Sequence, residues 1–157
     1  MWNTPSGREL SQEELLAAIR AAVNEGAKVY VGCDSAVTGN RVCFADVVCL
    51  HGGVGWQGGR YFFKREMVDR RPVSTLKTRI TEEANRTVIT TSLLMDHIGP
   101  ESIEIHLDVN RSKQHASSVL AERLSAYARS LGVDVKLKPE SWASTTIADK
   151  HSRSFLA

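Results

Sequence analysis

Lys28-Val29-Tyr30-Val31-Gly32-Cys33-Asp34 is the stretch on which the fold turns. Its β-branched and aromatic residues favour extended chain. Side chains alternate along a strand, so Val29, Val31 and Cys33 take one face and Tyr30, Gly32 and Asp34 the other. An acid then closes the apolar run, with Ser35 after it. Thr38-Gly39-Asn40 supplies turn residues, and Val42 to Leu50 reads as a second apolar strand. The two make a hairpin. Gly52 to Gly59 is glycine-rich and reads as a flexible connection, and Arg60 to Arg65, with Tyr61, Phe62 and Phe63, as a third strand.

Working outward, Ser11-Gln12-Glu13-Glu14 fits a capping box at the start of a helix. Leu15, Leu16, Ile19, Ala22 and Val23 recur at helical spacing, and Gly26 is a stop. After Pro72, Ser74 can cap a long helix to about Ile98, halted by Gly99-Pro100. Ile103 to Asp108 alternates as a fourth strand, Ser117 to Leu131 is a helix ended by Gly132, and Val133, Val135 and Leu137 mark a fifth strand. Past Pro139, Ser141 to about Ser152 is a last helix. Short turns make the early strands antiparallel, and helical crossovers make the later ones parallel. The expected architecture is α/β: a mixed five-stranded sheet in the order βββαβαβα, helices on both faces, and an extra N-terminal helix within residues 1–26. A chain of 157 residues suits one domain, spanning 1–157.

Hydrophobic residues make up 42% and charged residues 24%, the balance of a globular protein and not of a disordered one. A formal net charge of +2 neither requires nor excludes nucleic acid, since a local basic patch can sit on a near-neutral chain. Cys33, Cys43 and Cys49 fall in strand-like stretches without CxxC or Cys–His spacing, which points to buried thiols and not to zinc. Met1 to Arg8 is polar and does not read as a signal peptide, and no apolar run approaches the roughly 18 residues of a membrane span. The cytoplasm, with no membrane association, is the expected location.

Asp34 and Asp108 each close an apolar strand, where sites collect in open α/β sheets. Two carboxylates brought together there repel unless a cation lies between them, and oxygen donors suit Mg²⁺ or Mn²⁺. Each could equally end a strand or cap a turn. On the long helix, Leu76, Ile80, Ala84, Thr87, Val88, Thr91, Leu94, Met95 and Ile98 form one stripe, with Glu83 at its edge and Glu82 nearly opposite. Glu83 either meets a partner at the sheet or snorkels. Asp149, in Ala148-Asp149-Lys150, either turns inward or pairs with a lysine at the surface. His106 shares a strand face with Asp108 and reads as a half-buried histidine. His151 is a weaker candidate for moving protons or contacting phosphate. No Walker or dinucleotide loop occurs, and Ser35 lies in no GxSxG elbow.

Val31-Gly32-Cys33-Asp34-Ser35, the Glu82-Glu83 helix, His106-Leu107-Asp108-Val109-Asn110, and Lys138-Pro139 followed by Ala148-Asp149-Lys150 stand in an order that resembles the ribonuclease H-like superfamily. More narrowly, the chain looks like the YkuK-type group of bacterial proteins. The resemblance implies Asp34 as the bridging ligand of two divalent ions, Glu83 and Asp108 as completing the shell, and Asp149 as the variable fourth. Two ions about 3.5–4 Å apart would clamp the attacking and leaving oxygens of a phosphodiester. The implied activity is a metal-dependent nuclease on RNA, DNA or a hybrid. Arg111, Lys113, Lys138 and Lys150 are the candidate phosphate contacts. The rival readings are a non-catalytic nucleic-acid-binding or scaffold domain on the same fold, and a metal-dependent nucleotidyl- or phosphotransferase.

Overall fold

A computed structural model describes residues 1–110 and 118–153. The hairpin forms as its turn residues predict. Strand β3 (Lys28–Thr38) pairs antiparallel with β4 (Arg41–His51) in an unbroken ladder from Lys28↔His51 to Thr38↔Arg41. Gly39, at φ 59°, makes the two-residue turn possible, because only a residue without Cβ adopts that angle freely. The strand therefore runs four residues beyond Asp34, which lies inside β3 and not at its end. What does end near Asp34 is the parallel pairing of β3 with β6 (Ile103–Asn110), last seen at Gly32↔His106.

β5 (Arg60–Asp69) pairs antiparallel with β4, and β7 (Asp134–Lys138) pairs parallel with β6. The expected five strands thus form the core of the sheet, in the order β5-β4-β3-β6-β7. Two further strands, β1 (Trp2–Asn3) and β2 (Glu9–Leu10), extend it to seven on the β5 edge. Two-residue strands carry no periodicity, so the polar N-terminus hid them. Trp2 is nonetheless buried, with Lys64 lying over its ring.

Helix α1 (Gln12–Asn24) starts at the predicted capping box, with Ser11 accepting from the Glu14 N–H and Glu14 accepting from the Ser11 N–H. Helix α2 (Leu76–Met95) is capped by Thr75, not Ser74, because Thr78 completes a reciprocal box with Thr75. Both helices and α3 (Ser118–Ser130) cover one sheet face, where Leu15, Ile19, Ile80, Ala84, Leu94, Ala121 and Ala128 meet Val29, Val31 and Ile105. The other face carries the last helix. It begins with π-wound chain at Ala143–Ala148 and continues into α4 (Asp149–Ser152), packing Ala143 and Ala148 against Val47 and Phe63.

Two contacts seat that last helix. A Cβ at Gly32 would lie 2.8 Å from the Ser144 backbone nitrogen, so the π-wound turn rests on the bare backbone of β3. The Ala143 N–H donates to His106 Nδ1 at 3.0 Å, which leaves the ring proton on Nε2 to donate to Glu104 at 2.9 Å. His106 is fully buried, beyond the half-burial expected of it, and its role is structural. The glycine-rich connection is anchored and not loose. Trp56 donates to Glu25 and lies under the Arg60 guanidinium, and the Val54 N–H bonds the Glu25 carbonyl. Among the described residues no helix is long and apolar enough to cross a membrane.

Candidate metal centre

Asp34 and Asp108 reach one place because β3 and β6 stop pairing before either strand ends. Asp34 shares its face with Gly32, as the alternation predicts. Opposite it, β6 bulges. His106 pairs with Lys136 and Asn110 with Lys138, so four steps on β6 match two on β7. Bulges re-aim side chains at sheet rims. Leu107 and Val109 stay in the core while Asp108, between them, keeps 18% of its side chain exposed.

Glu83 arrives from the opposite face. It sits on the sheet side of α2 and is buried, at 7% exposure, whereas Glu82 is turned outward and pairs with Arg86 at 3.1 Å. Cys33, Ile80, Ala84 and Thr87 line a small cavity beside Glu83 and Asp108. Asp34, Glu83 and Asp108 each offer an oxygen that lies within 4.8 Å of the others.

Two of these carboxyl groups, Asp34 and Glu83, resist ionisation. Burial pushes Asp34 up to about 9, and the charges of Glu83 and Asp108 and hydrogen bonding with Asp149 add to it. Burial likewise pushes Glu83 up to about 8, against the lowering effect of Ser35, whose hydroxyl donates to Glu83 Oε1 at 2.7 Å. The Ser152 hydroxyl donates to Asp34 Oδ2 at 3.0 Å. A divalent cation suits this donor set: all the donors are hard oxygens, and a cation offsets the burial and repulsion that hold protons on Asp34 and Glu83.

The remaining candidates lie at different distances from this centre. Asp149 is outside the three-carboxylate group but borders Asp34, and its Oδ1 is 2.6 Å from Arg153 Nε. Lys138 Nζ is 2.7 Å from Asp108 Oδ1. Lys150 is exposed on α4. His151 stacks on Phe63 at 3.7 Å and meets the Tyr61 hydroxyl at 3.0 Å; burial and the nearby Lys150 and Arg65 charges bring its imidazole down to about 4. It is neutral at physiological pH and packed as part of the β5 face. Arg111 and Lys113 lie outside the described residues.

Ser35, Ser152 and Arg153 touch the acids and were not singled out from sequence. Ser35 adjoins Asp34, and a serine beside a strand acid was the one available signal. Ser152 and Arg153 follow Asp149 by one helical turn, a spacing that becomes informative only once the inward face of the last helix is known.

No curated protein matches the chain. The model of one family, described as ribonuclease H-like, matches residues 11–153, and the narrower YkuK-type resemblance is consistent with it. Strand order, mixed pairing and a carboxylate group at the split between β3 and β6 agree with that match, and the chain belongs to the ribonuclease H-like family.

Proposed function

We propose that this protein is a divalent-metal-dependent nuclease that hydrolyses phosphodiester bonds in RNA, DNA or a hybrid. One observation carries the reading. Asp34, Glu83 and Asp108 converge from two strands and a helix until an oxygen of each lies within 4.8 Å of the others. Such a group is costly to bury unless it serves a cation.

Asp34, Glu83 and Asp108 would hold Mg²⁺ or Mn²⁺, with Asp149 as the fourth ligand. Two ions, when bound, supply an activated water and stabilise the leaving oxygen. The chain's own residues do the rest. Ser35 and Ser152 fix the carboxylate rotamers by donating to Glu83 and Asp34. Gly32 and His106 seat the helix that carries Asp149 and Ser152. Lys138 and Lys150 are the described candidates for phosphate contact, and Arg111 and Lys113 are proposed beside them. The cytoplasm is the proposed compartment, in keeping with three buried free cysteines.

Labelled RNA, DNA and hybrid substrates, each incubated with Mn²⁺, with Mg²⁺ and with chelator, test the proposal. Cleavage by the parent that is lost with chelator and in Asp34→Asn supports it. Tight nucleic-acid binding without cleavage on any substrate would instead favour the non-catalytic reading of the same fold.

A further inference from the structure

The acidic centre already contains a cation. Lys138 ends β7 at the bulge of β6, and its ammonium lies 2.7 Å from Asp108 Oδ1, the shortest reach between any lysine and this centre among the described residues. Asp108 supplies one of the three clustered oxygens, so the ammonium sits against one member of the acidic group. When Asp34, Glu83 and Asp108 are ionised they carry three negative charges. Lys138 cancels one and leaves two, the charge of a single divalent ion. Asp149 does not change this balance, because Arg153 already pairs with it at 2.6 Å.

We infer that Lys138 is a resident cation of the centre, holding the place beside Asp108 that a second divalent ion would need, so that the resting centre takes one divalent ion. This rests on the metal-centre reading above. It adds that a second ion arrives only as Lys138 turns away from Asp108. Lys138 is free to do so: its side chain is 44% exposed, on a strand at the edge of the sheet. Like charges a few ångströms apart exclude each other strongly at a partly buried site.

Mn²⁺ binding to the intact chain, followed by electron paramagnetic resonance without nucleic acid, tests this in the parent, Lys138→Met and Lys138→Arg. The parent is expected to bind one Mn²⁺ tightly. Lys138→Met should bind two, or bind the first about tenfold more tightly, because an opposing charge is gone. Lys138→Arg keeps the charge and should behave as the parent. A parent that binds two ions with similar affinity, or a Lys138→Met isotherm that superimposes on the parent's, overturns the inference and leaves the metal centre standing. No Mn²⁺ binding by any of the three proteins removes both. A thermal melt in chelator confirms that each variant is folded.

Discussion

In the absence of metal, Asp34→Asn should be more stable than the parent at neutral pH, and its advantage should grow as the pH rises. Folding lifts Asp34 from an ordinary 3.8 to about 9, and Glu83 from 4.5 to about 8. Both values are raised, so the folded state holds protons that the unfolded state has released. The stability this contributes is complete below the unfolded values and is lost as pH climbs through the folded ones, a window from about pH 4 to about pH 9. Inside that window each carboxyl held protonated by the fold costs about 1.4 kcal/mol per pH unit. From about pH 5 to about pH 8, Asp34 alone would cost about 4 kcal/mol. The two acids share their repulsion, so they do not contribute twice that amount. Asn carries no charge and keeps an oxygen for the Ser152 hydroxyl, so the variant loses the Asp34 slope without losing the contact.

The expected gain for Asp34→Asn is therefore small near pH 5 and about 2–4 kcal/mol near pH 8. Urea unfolding in chelator across this range measures it. An advantage that stays constant with pH, or a parent whose stability rises between pH 5 and pH 8, would refute the electrostatic account of the centre. Mn²⁺ should reverse the ranking, since an ion that binds ionised carboxylates stabilises the parent and finds no Asp34 ligand in the variant.

Further substitutions probe the surroundings. Glu83→Gln should weaken Mn²⁺ binding by tenfold or more, about 1.4 kcal/mol, whereas Glu82→Gln should change affinity or stability by no more than about 0.5 kcal/mol; calorimetric titration of both decides whether α2 is oriented as described. Gly32→Ala should destabilise the fold by about 2 kcal/mol, because its Cβ would lie 2.8 Å from Ser144 N and backbone cannot give way as a side chain can; chemical denaturation showing no loss would mean that the π-wound turn is not seated there. Arg86→Met should cost about 3–5 kcal/mol, since it strips buried Asp46, 4% exposed, of its partner at 3.6 Å, and Asp46→Asn in the same chain should restore much of the loss in a melt.

Legibility followed locality. The capping box of α1, the Gly39 turn and the alternation of β3 and β6 depend on residues within a few positions of one another, and each reads directly from the chain. The parallel and antiparallel sense of the five core strands followed from connection lengths, a property that the sequence also carries. The assumption that Asp34 closes its strand failed because strand length was judged from hydrophobicity. Ser35 to Thr38 carry one large apolar side chain, Val37, yet they are held in β3 by pairing with β4, from Ser35↔Phe44 to Thr38↔Arg41. The Arg86 cluster escaped notice for a related reason. Asp46 on β4, Glu66 on β5 and Glu82 on α2 become one set only after two strands and a helix have packed. Lys138 was noticed as a phosphate contact and not as a partner of Asp108, because a bulge, and not the strand pattern, turns Asp108 toward it.

That bulge and the early end of the β3–β6 ladder explain why a centre forms here. A continuous sheet is a wall, and side chains from helices on its two faces cannot meet through it. Glu83 belongs to the face of α1, α2 and α3, whereas Asp34 belongs to the face of α4. Only past Gly32↔His106, where the hydrogen bonds between β3 and β6 stop, can a glutamate from one side approach aspartates from the other. The same gap would be a weakness if both strands were free there. β3 is not, because its ladder with β4 continues to the hairpin turn and fixes the Asp34 backbone from the other edge. The fold thus opens one seam while the neighbouring ladder stays closed. The carboxylates that gather at the seam are held against their own repulsion by packing that lies elsewhere: the apolar layer beneath α1, α2 and α3 on one face, and the π-wound turn on the other. Stability is given up at the seam and recovered in those layers, which is why removing the ionisable group at position 34 should make the apo protein sturdier and its metal centre worse.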